Sequence, residues 1–325
     1  MTRLNELRLI ARVAQMYHVE HQRQSTIASH LRISQATISR MLKRAQEEEI
    51  VRTTVVSPSG IYSDLEEGLR LKYDIKEAIV VECSEDRDGA IMSRIGEAAA
   101  HFLEATLQPD EIIGVSSWSE TVLKMVENIH PLKLGRAKYV VQTLGGMGDP
   151  TVQMHANHLT TRLAKLTGAE PRMLSAPGVA QSREAKLVLL GDSYLRATMD
   201  LFSKITLAIV GVGTVAPSDM LARSGNVFTS HELLAVQEAG GTGDISLRFF
   251  DAHGNPIKSA LDDRVIGMTL EELAKVDRVI AVAGGHSKTP AIHGALKSKV
   301  IDLLITDKFT AERLVTGAIK HDEGD

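Results

Sequence analysis

The sequence predicts two domains: a small all-α N-terminal domain of helix-turn-helix type and a larger α/β domain with a doubly wound sheet. The chain has 325 residues, more than one hydrophobic core usually organises. Its first 57 residues show three successive helical patterns, whereas short apolar runs alternate with helical segments from residue 75 onward. Short, continuously apolar strands are typical of a parallel sheet covered on both faces.

The composition is that of an ordinary globular protein, with 43% hydrophobic and 24% charged residues. No apolar run approaches the roughly 20 residues that a helix needs to cross a bilayer. The N-terminus lacks the apolar core of a signal peptide, so we expect a cytoplasmic protein. The single cysteine, Cys83, excludes an internal disulfide and a multi-cysteine metal cluster, and we expect neither a metal nor a cofactor.

Charge is distributed unevenly along the chain. Residues 1–57 carry nine Lys/Arg and five Asp/Glu, whereas the remainder carries 28 basic and 36 acidic residues. A basic segment joined to an acidic body suits a DNA-contacting head on a larger sensor domain.

The N-terminal segment divides into three predicted helices. Residues 4–18 and 24–31 have the period of amphipathic helices. Residues 32–33 make a turn, and Ser34 is a suitable N-cap for a third helix that ends near Glu48.

The spacing of small and apolar residues in helices two and three predicts a helix-turn-helix, whose third helix enters the major groove. Arg32 stands in the turn, where many such motifs have glycine. The apolar template consists of Ile27, Ala28, Leu31, Ile33, Ile38 and Met41.

The opposite face of the third helix is the predicted DNA contact. Glutamine and arginine can make bidentate contacts with adenine and guanine edges, and hydroxyls can contact phosphates. The alternative is the solvated face of an ordinary three-helix bundle. The predicted contact residues are Gln35, Ala36, Thr37, Ser39, Arg40, Lys43 and Arg44.

The boundary between the domains follows this helix. Residues 50–56 are β-branched and predict a wing strand or the first strand of a linker, and Ser57-Pro58-Ser59-Gly60 breaks the chain. A connecting helix is predicted at 64–73. The predicted domains are a DNA-binding domain at 1–57, a linker with the connecting helix at 58–74, and an effector domain at 75–325.

In the effector domain, strands and helices alternate. Strands are predicted at 78–82, 112–116, 139–144, 171–174, 205–210, 244–250, 279–283 and 303–306. Helices are predicted at 88–107, 119–129, 151–167, 182–200, 230–239, 269–275, 289–298 and 308–318.

Four of these strands end in turns of small or hydroxyl residues. Ligands bind beyond the carboxyl ends of such strands, where glycines permit close approach and helix N-termini hold anions. The alternative is a set of plain turns without a ligand. The turns contain Ser116-Ser117-Trp118-Ser119-Glu120-Thr121, Gly145-Gly146, Gly211-Val212-Gly213-Thr214 and Gly284-Gly285-His286-Ser287-Lys288.

Three side chains near these turns are candidate ligand contacts. Lys288 lies at a helix N-terminus, where the helix dipole disfavours a cation unless an anion is bound nearby. Asp251 can accept hydrogen bonds from sugar hydroxyls, or can be a turn residue. Trp118 can cover a sugar ring, or can belong to the core.

Taken together, these stretches resemble the SorC (DeoR-like) family of bacterial sugar-responsive transcriptional regulators. The resemblance runs through essentially the whole chain in one order. It is carried by residues 34–42 (SQATISRML), 113–123 (IGVSSWSETVL), 140–146 (VVQTLGG), 176–179 (APGV), 208–214 (AIVGVGT), 240–254 (GGTGDISLRFFDAHG), 279–296 and 304–307 (LITD).

The resemblance implies an effector domain similar to sugar-phosphate isomerases and deaminases, a homodimer or homotetramer, and a sugar, polyol or sugar-phosphate effector. The first loop departs from the shorter Trp-Gly-x-Thr form of many relatives, and Glu120 adds a negative charge there. A phosphorylated and an uncharged effector therefore both stay open. The implied effector-binding residues are Ser116, Ser117, Trp118, Ser119, Thr121, Gly145, Gly146, Gly211, Gly213, Thr214, Asp251 and Lys288.

These observations predict a regulator of a carbohydrate or polyol catabolic operon, such as a repressor, that binds operator DNA and is not an enzyme. Effector binding would shift the population between DNA-competent and DNA-incompetent states. One alternative is a sugar-phosphate isomerase or deaminase with an N-terminal extension, in which Asp251 and Lys288 would supply the acid–base chemistry. Another is a metabolite-binding protein whose head contacts a second protein.

Overall fold

The computed structural model describes residues 3–51, 58, 60–116, 118–132 and 137–319, with only the backbone at positions 151, 152 and 155. The chain divides into two compact units, Met1–Pro58 and Ser59–Asp325. Within the described ranges, no helix is long and apolar enough to cross a membrane.

Three helices form the first unit: α1 (Arg3–His18), α2 (Gln24–Leu31) and α3 (Gln35–Glu47). Because apolar residues recur once per turn on each helix, they meet in one small core. All six positions of the predicted apolar template lie in or against it. The core contains Val13, Met16, Ile27, Ala28, Ile38 and Leu42, with Leu31, Ile33 and Met41 at its margin.

The turn between α2 and α3 is tight. Arg32 adopts the left-handed conformation, with a φ of 56°, and Ile33 N–H donates to the Ala28 carbonyl at 3.1 Å. Ser34 then caps α3, because its hydroxyl accepts the Thr37 N–H at 3.2 Å. Residues 52–57, which hold most of the predicted wing or linker strand, lie outside the described residues.

The second unit is an α/β fold, as predicted. Seven strands form a parallel sheet in the order β1-β9-β8-β5-β2-β3-β4, and β6 and β7 form a separate antiparallel pair. The strands are β1 (Glu77–Val81), β2 (Ile112–Val115), β3 (Tyr139–Gln142), β4 (Glu170–Arg172), β5 (Leu207–Val210), β6 (Gly241–Ile245), β7 (Arg248–Asp251), β8 (Arg278–Val282) and β9 (Leu303–Asp307).

Helices cover both faces of this sheet. They are α4 (Ser63–Tyr73), α5 (Asp88–Thr106), α6 (Glu120–Asn128), α7 (Pro150–Thr167), α8 (Arg183–Leu190), α9 (Ser193–Met199), α10 (Asp219–Ser224), α11 (Ser230–Glu238), α12 (Leu270–Leu273), α13 (Thr289–Lys297) and α14 (Lys308–Thr316). The helix predicted at 64–73 is α4, and it packs against β1 and α14 within the second unit.

Alternating side chains of the strands supply two separate cores. In β5, Leu207 and Ile209 point into one core, whereas Ala208 and Val210 point into the other. Because successive strand residues face opposite sides, a strand buried on both faces needs an unbroken apolar sequence. This explains why the strand signal was a continuous apolar run rather than an alternating pattern.

The order of the strands places a crevice between β2 and β5. After β2 the chain winds outward through β3 to β4, then returns to β5 beside β2 and winds the other way through β8 and β9. Loops leaving β2 and β5 therefore diverge to opposite sides. In open α/β sheets, ligands bind at the carboxyl ends of the strands where the winding reverses.

Two predicted elements differ from the structure. The strand predicted at 244–250 is a hairpin of β6 and β7, because Ser246 and Leu247 form a two-residue turn. The helix predicted at 182–200 is two helices, because Asp192 accepts the N–H groups of Tyr194 and Leu195 and so starts α9 afresh. The short helix α10 was not predicted.

Arg32→Gly is expected to stabilise the first unit by about 1 kcal/mol, because glycine adopts a positive φ without the penalty that a Cβ imposes. Arg32→Ala is the matched control, since it removes the same charge but keeps the Cβ. Chemical denaturation followed by circular dichroism measures both variants. Equal stability of the glycine and alanine variants would contradict this explanation.

Candidate functional site

A cavity of about 220 Å³ lies at the carboxyl ends of β2 and β5. It occupies the crevice that the reversal of winding creates, and residues from five separate segments of the chain meet there. Its lining consists of Ser116, Trp118, Ser119, Glu120, Leu144, Gly211, Val212, Gly213, Thr214, Ala216, Pro217, Ser218, Leu221, Asp244, Ser246, Leu247 and Lys288.

The loop after β2 forms one wall of the cavity. The Trp118 indole is 5% exposed and donates its Nε1–H to the Gly145 carbonyl at 2.8 Å. Ser119 caps α6 by accepting the Val122 N–H at 3.3 Å. Trp118 thus belongs to the core, as one of the two sequence hypotheses had it, and also forms part of the cavity lining.

The loop after β5 forms the opposite wall and needs its glycines. A Cβ at Gly211 would lie 2.4 Å from the Ser119 hydroxyl, and one at Gly213 would lie 2.2 Å from Asp244 Oδ1. Gly213 also exchanges two backbone hydrogen bonds with Asp244, at 3.0 and 2.9 Å. Any larger residue at Gly213 would therefore displace the hairpin that closes the cavity.

The tip of the β6–β7 hairpin is strained. Ser246 and Leu247 both have positive φ angles, 53° and 63°, which residues with a side chain rarely adopt. The Asp244 carboxylate holds the turn by accepting the Leu247 N–H at 2.7 Å. Strain of this kind tends to occur at ligand-binding sites, where the surrounding structure maintains it.

Asp244 and Lys288 lie close enough in the cavity lining for their charges to interact, and Glu120 is the third charged residue of the lining. Burial raises the pKa of Asp244 from 3.8 to about 6, although the Leu247 N–H and the Lys288 ammonium both act to lower it. Lys288 occupies the N-cap position of α13, as expected from the sequence. The negative charge of Asp244 therefore acts on the Lys288 ammonium group.

Seven of the predicted effector residues meet at this cavity: Ser116, Trp118, Ser119, Gly211, Gly213, Thr214 and Lys288. Thr121 is instead buried within α6. Gly145 and Gly146 are not in the lining, and their N–H groups donate to the carbonyl groups of Ile266 and Leu174. Ser117 lies outside the described residues.

Asp251 is placed away from the lining and organises its own loop. Its carboxylate accepts the N–H groups of His253 and Asn255 and the Asn255 side-chain amide, at 2.8 to 3.0 Å. Burial acts to raise the pKa of Asp251, but these hydrogen bonds outweigh it and the net shift is downward. The structure gives Asp251 the turn role that the sequence left open.

Sequence reasoning did not place Asp244, Ser246 or Leu247 in the site. Asp244 lay in a stretch already singled out, but nothing distinguished it from Asp251. The turn Ser246-Leu247 contains neither glycine, asparagine nor proline, so it carried no turn signal. Among the described residues, no group of His, Cys, Asp or Glu is arranged to hold a metal ion.

A second candidate surface is the outer face of α3. Gln35, Ala36, Ser39, Arg40 and Lys43 are exposed there, and Thr37 is half-buried. The Arg40 guanidinium donates to the Thr37 hydroxyl at 3.3 Å, which positions it over the start of the helix.

Arg44 differs from the other predicted DNA contacts. Its guanidinium is half-buried and forms ion pairs with Glu6 of α1 and Glu48. The hydrogen bond to Glu6 raises the pKa of Arg44 above its ordinary value. The structure therefore uses Arg44 to join α1 to α3.

The chain is similar to known sugar-binding domains and to a known regulator. Residues 58–316 match the Sugar-bind family of sugar-binding domains. The deoxyribonucleoside regulator of Bacillus subtilis (strain 168) is 32% identical over 302 residues, covering 93% of this chain and 95% of that protein.

A second relative is similar in sequence and in structure. The sorbitol operon regulator of Klebsiella pneumoniae is 28% identical, covering 97% of this chain and 100% of that protein. The crystal structure of full-length SorC from Klebsiella pneumoniae superimposes with a TM-score of 0.72, covering 95% of this chain and 98% of that chain.

Asp244→Asn is expected to stabilise the second unit at pH 7.5 by up to ~3 kcal/mol, the equivalent of a pKa shift of about two units. The raised pKa means that the folded state holds the proton more tightly. The penalty therefore builds up as pH rises from about 4 to 6 and is complete above that. The advantage of the variant should shrink toward zero as pH falls to 4.

Asp251→Asn is the control of opposite sign, because the pKa of Asp251 is lowered and its ionised form stabilises the fold at neutral pH. Urea denaturation from pH 4 to 8 measures both variants. An Asp244→Asn advantage that is absent at pH 7.5, or independent of pH, would contradict the assignment.

Proposed function

The chain belongs to the Sugar-bind family of SorC/DeoR-type transcriptional regulators, and from that premise we propose that it regulates a carbohydrate or polyol catabolic operon. Its first unit would bind operator DNA, and the cavity of its second unit would bind a sugar, polyol or sugar-phosphate effector. The proposed domains are 1–57 for DNA binding, 58–74 for the connection and 75–325 for the effector.

The exposed face of α3 is the single observation that carries the DNA-binding part. A helix that followed a tight turn and served only structure would be expected to present a mixed Glu/Lys surface. Here Gln35, Ser39 and Arg40 are exposed together near the helix start, and Ile38 anchors the opposite side in the core. Side chains at the start of the second helix of a helix-turn-helix are the ones that reach base edges.

The cavity supports the effector-binding part. It is concave, it lies where the winding of the sheet reverses, and polar and charged side chains converge there beside apolar ones. These are general features of small-molecule sites in α/β proteins. The strained Ser246-Leu247 turn beside it is a further sign of a functional site.

We propose that a homodimer or homotetramer places two copies of α3 in successive major grooves of a palindromic operator. An effector that binds one arrangement of the oligomer more tightly shifts the population toward it. A coupling free energy of ~2–3 kcal/mol between effector and DNA would be sufficient for regulation.

The alternative of an isomerase or deaminase loses support from the placement of its proposed catalytic pair. Asp251 is engaged by its own loop and does not line the cavity that Lys288 lines. We therefore expect no turnover of sugar phosphates by the purified protein. Product formation at enzymatic rates, followed by chromatography, would restore the enzyme alternative.

Gln35→Ala and Arg40→Ala are each expected to weaken specific operator binding by about 1–3 kcal/mol and to relax the base preference at one position, because each removes a bidentate base contact. The operator is first selected from a random DNA pool, where the account predicts two half-sites about 10 base pairs apart. Fluorescence anisotropy then measures affinity for that site and for scrambled DNA.

Arg8→Ala is the charge-matched control, since it removes an exposed arginine from α1 and should leave the ratio of specific to non-specific affinity unchanged. If both α3 variants kept the wild-type ratio, α3 would not be the recognition helix. If no sequence were selected from the pool, the regulator proposal itself would fail.

A further inference from the structure

We propose that the cavity takes an uncharged, polyhydroxylated effector, a polyol or a neutral sugar, and that Glu120 excludes its phosphorylated form. This inference rests on the proposed function, because it names the class of effector that the same cavity binds. It is carried by the charges and hydrogen-bonding groups that line the cavity.

Carboxylates dominate the charged lining. Glu120 and Asp244 line the cavity together with Lys288, which among the described lining residues is the only cation. A phosphomonoester carries a charge of about −1.5 to −2 at neutral pH. Bringing it into a partly desolvated space that already holds two carboxylates costs more than one ammonium group, already beside Asp244, can offset.

Several of the backbone donors that could hold a phosphate are already engaged within the protein. At the start of α6, the Ser119 hydroxyl accepts the Val122 N–H, and the Glu120 carboxylate supplies the negative charge that a helix N-terminus attracts. At the start of α13, the N–H groups of Lys288 and Thr289 donate to carbonyls of their own loop. One N–H group at the start of α6 and two at the start of α13 are therefore already engaged within the protein.

The other polar side chains of the cavity lining are suited to hydrogen-bond the hydroxyl groups of a ligand. The Glu120 carboxylate lines the cavity, and within the described part of the chain the Ser246 hydroxyl is buried without a hydrogen-bonding partner. Carboxylates accept the protons of ligand hydroxyls, and the Lys288 ammonium can donate to the hydroxyl oxygens. A buried polar group without a partner is costly, so a ligand hydroxyl at Ser246 would be favourable.

The test compares matched pairs of ligands on the full-length protein. Isothermal titration calorimetry measures binding of four- to six-carbon polyols and sugars, and of the phosphomonoester of each. For the pair that binds best, the wild type should bind the neutral member about tenfold more tightly or better.

In Glu120→Gln, the ratio of the affinity for the neutral ligand to the affinity for its phosphomonoester should fall by about tenfold, because glutamine keeps the shape of the side chain and removes its charge. Glu127→Gln is the matched control, since it lies on the same helix in an exposed ion pair with Lys124, away from the cavity lining. It should leave the preference unchanged. Thermal unfolding confirms that both variants are folded before they are compared.

A second measurement needs no variant. Binding of a neutral effector should not change between 50 and 500 mM salt, roughly a threefold change in Debye length, whereas binding of a phosphate through Lys288 should weaken. A wild type that prefers the phosphomonoester, or an unchanged preference in Glu120→Gln, would overturn this inference and leave the proposed function standing. If neither class bound, the proposed effector role itself would fail.

Discussion

The reversal of winding between β2 and β5 is the constraint on which the second unit depends. Because the loops leaving these neighbouring strands go to opposite faces of the sheet, a crevice has to open between them. The chain fills part of that crevice with the Trp118 indole and leaves the cavity above it. The position of the proposed effector site thus follows from topology, whereas its selectivity follows from the loops.

The β6–β7 hairpin is what gives the crevice its third wall. It is fastened to the sheet through Gly213 and held in its strained turn by Asp244, whose own pKa is raised by the burial that this requires. Beyond the cavity, the helix that begins after Lys288 reaches α4, because His293 of α13 hydrogen-bonds Tyr73 at 2.8 Å. Packing in the second unit is therefore continuous from the cavity to the helix that follows the domain boundary.

Much of the fold and of the cavity was predictable from the sequence, because the spacing of apolar residues along the chain indicates which side chains are buried. The core of the first unit, the parallel strands and most cavity-lining turns followed from apolar spacing and from glycines at strand ends. The hairpin did not, because Ser246 and Leu247 carry none of the residue types that favour a turn. The register of that hairpin determines that Asp244, and not Asp251, faces the cavity. Tertiary contacts set this register, so the local sequence does not reveal it.

Trp118 allows the central claim to be measured directly, because it is the chain's only tryptophan and lines the cavity. Its fluorescence is followed while effector is added to the protein, and operator affinity is followed by anisotropy over the same concentrations. We expect the Trp118 fluorescence and the operator affinity to change over the same range of effector concentration. We also expect the coupling to be reciprocal: bound operator should change the affinity for effector by the same factor by which bound effector changes the affinity for operator. Operator affinity that changed without a Trp118 response would contradict it.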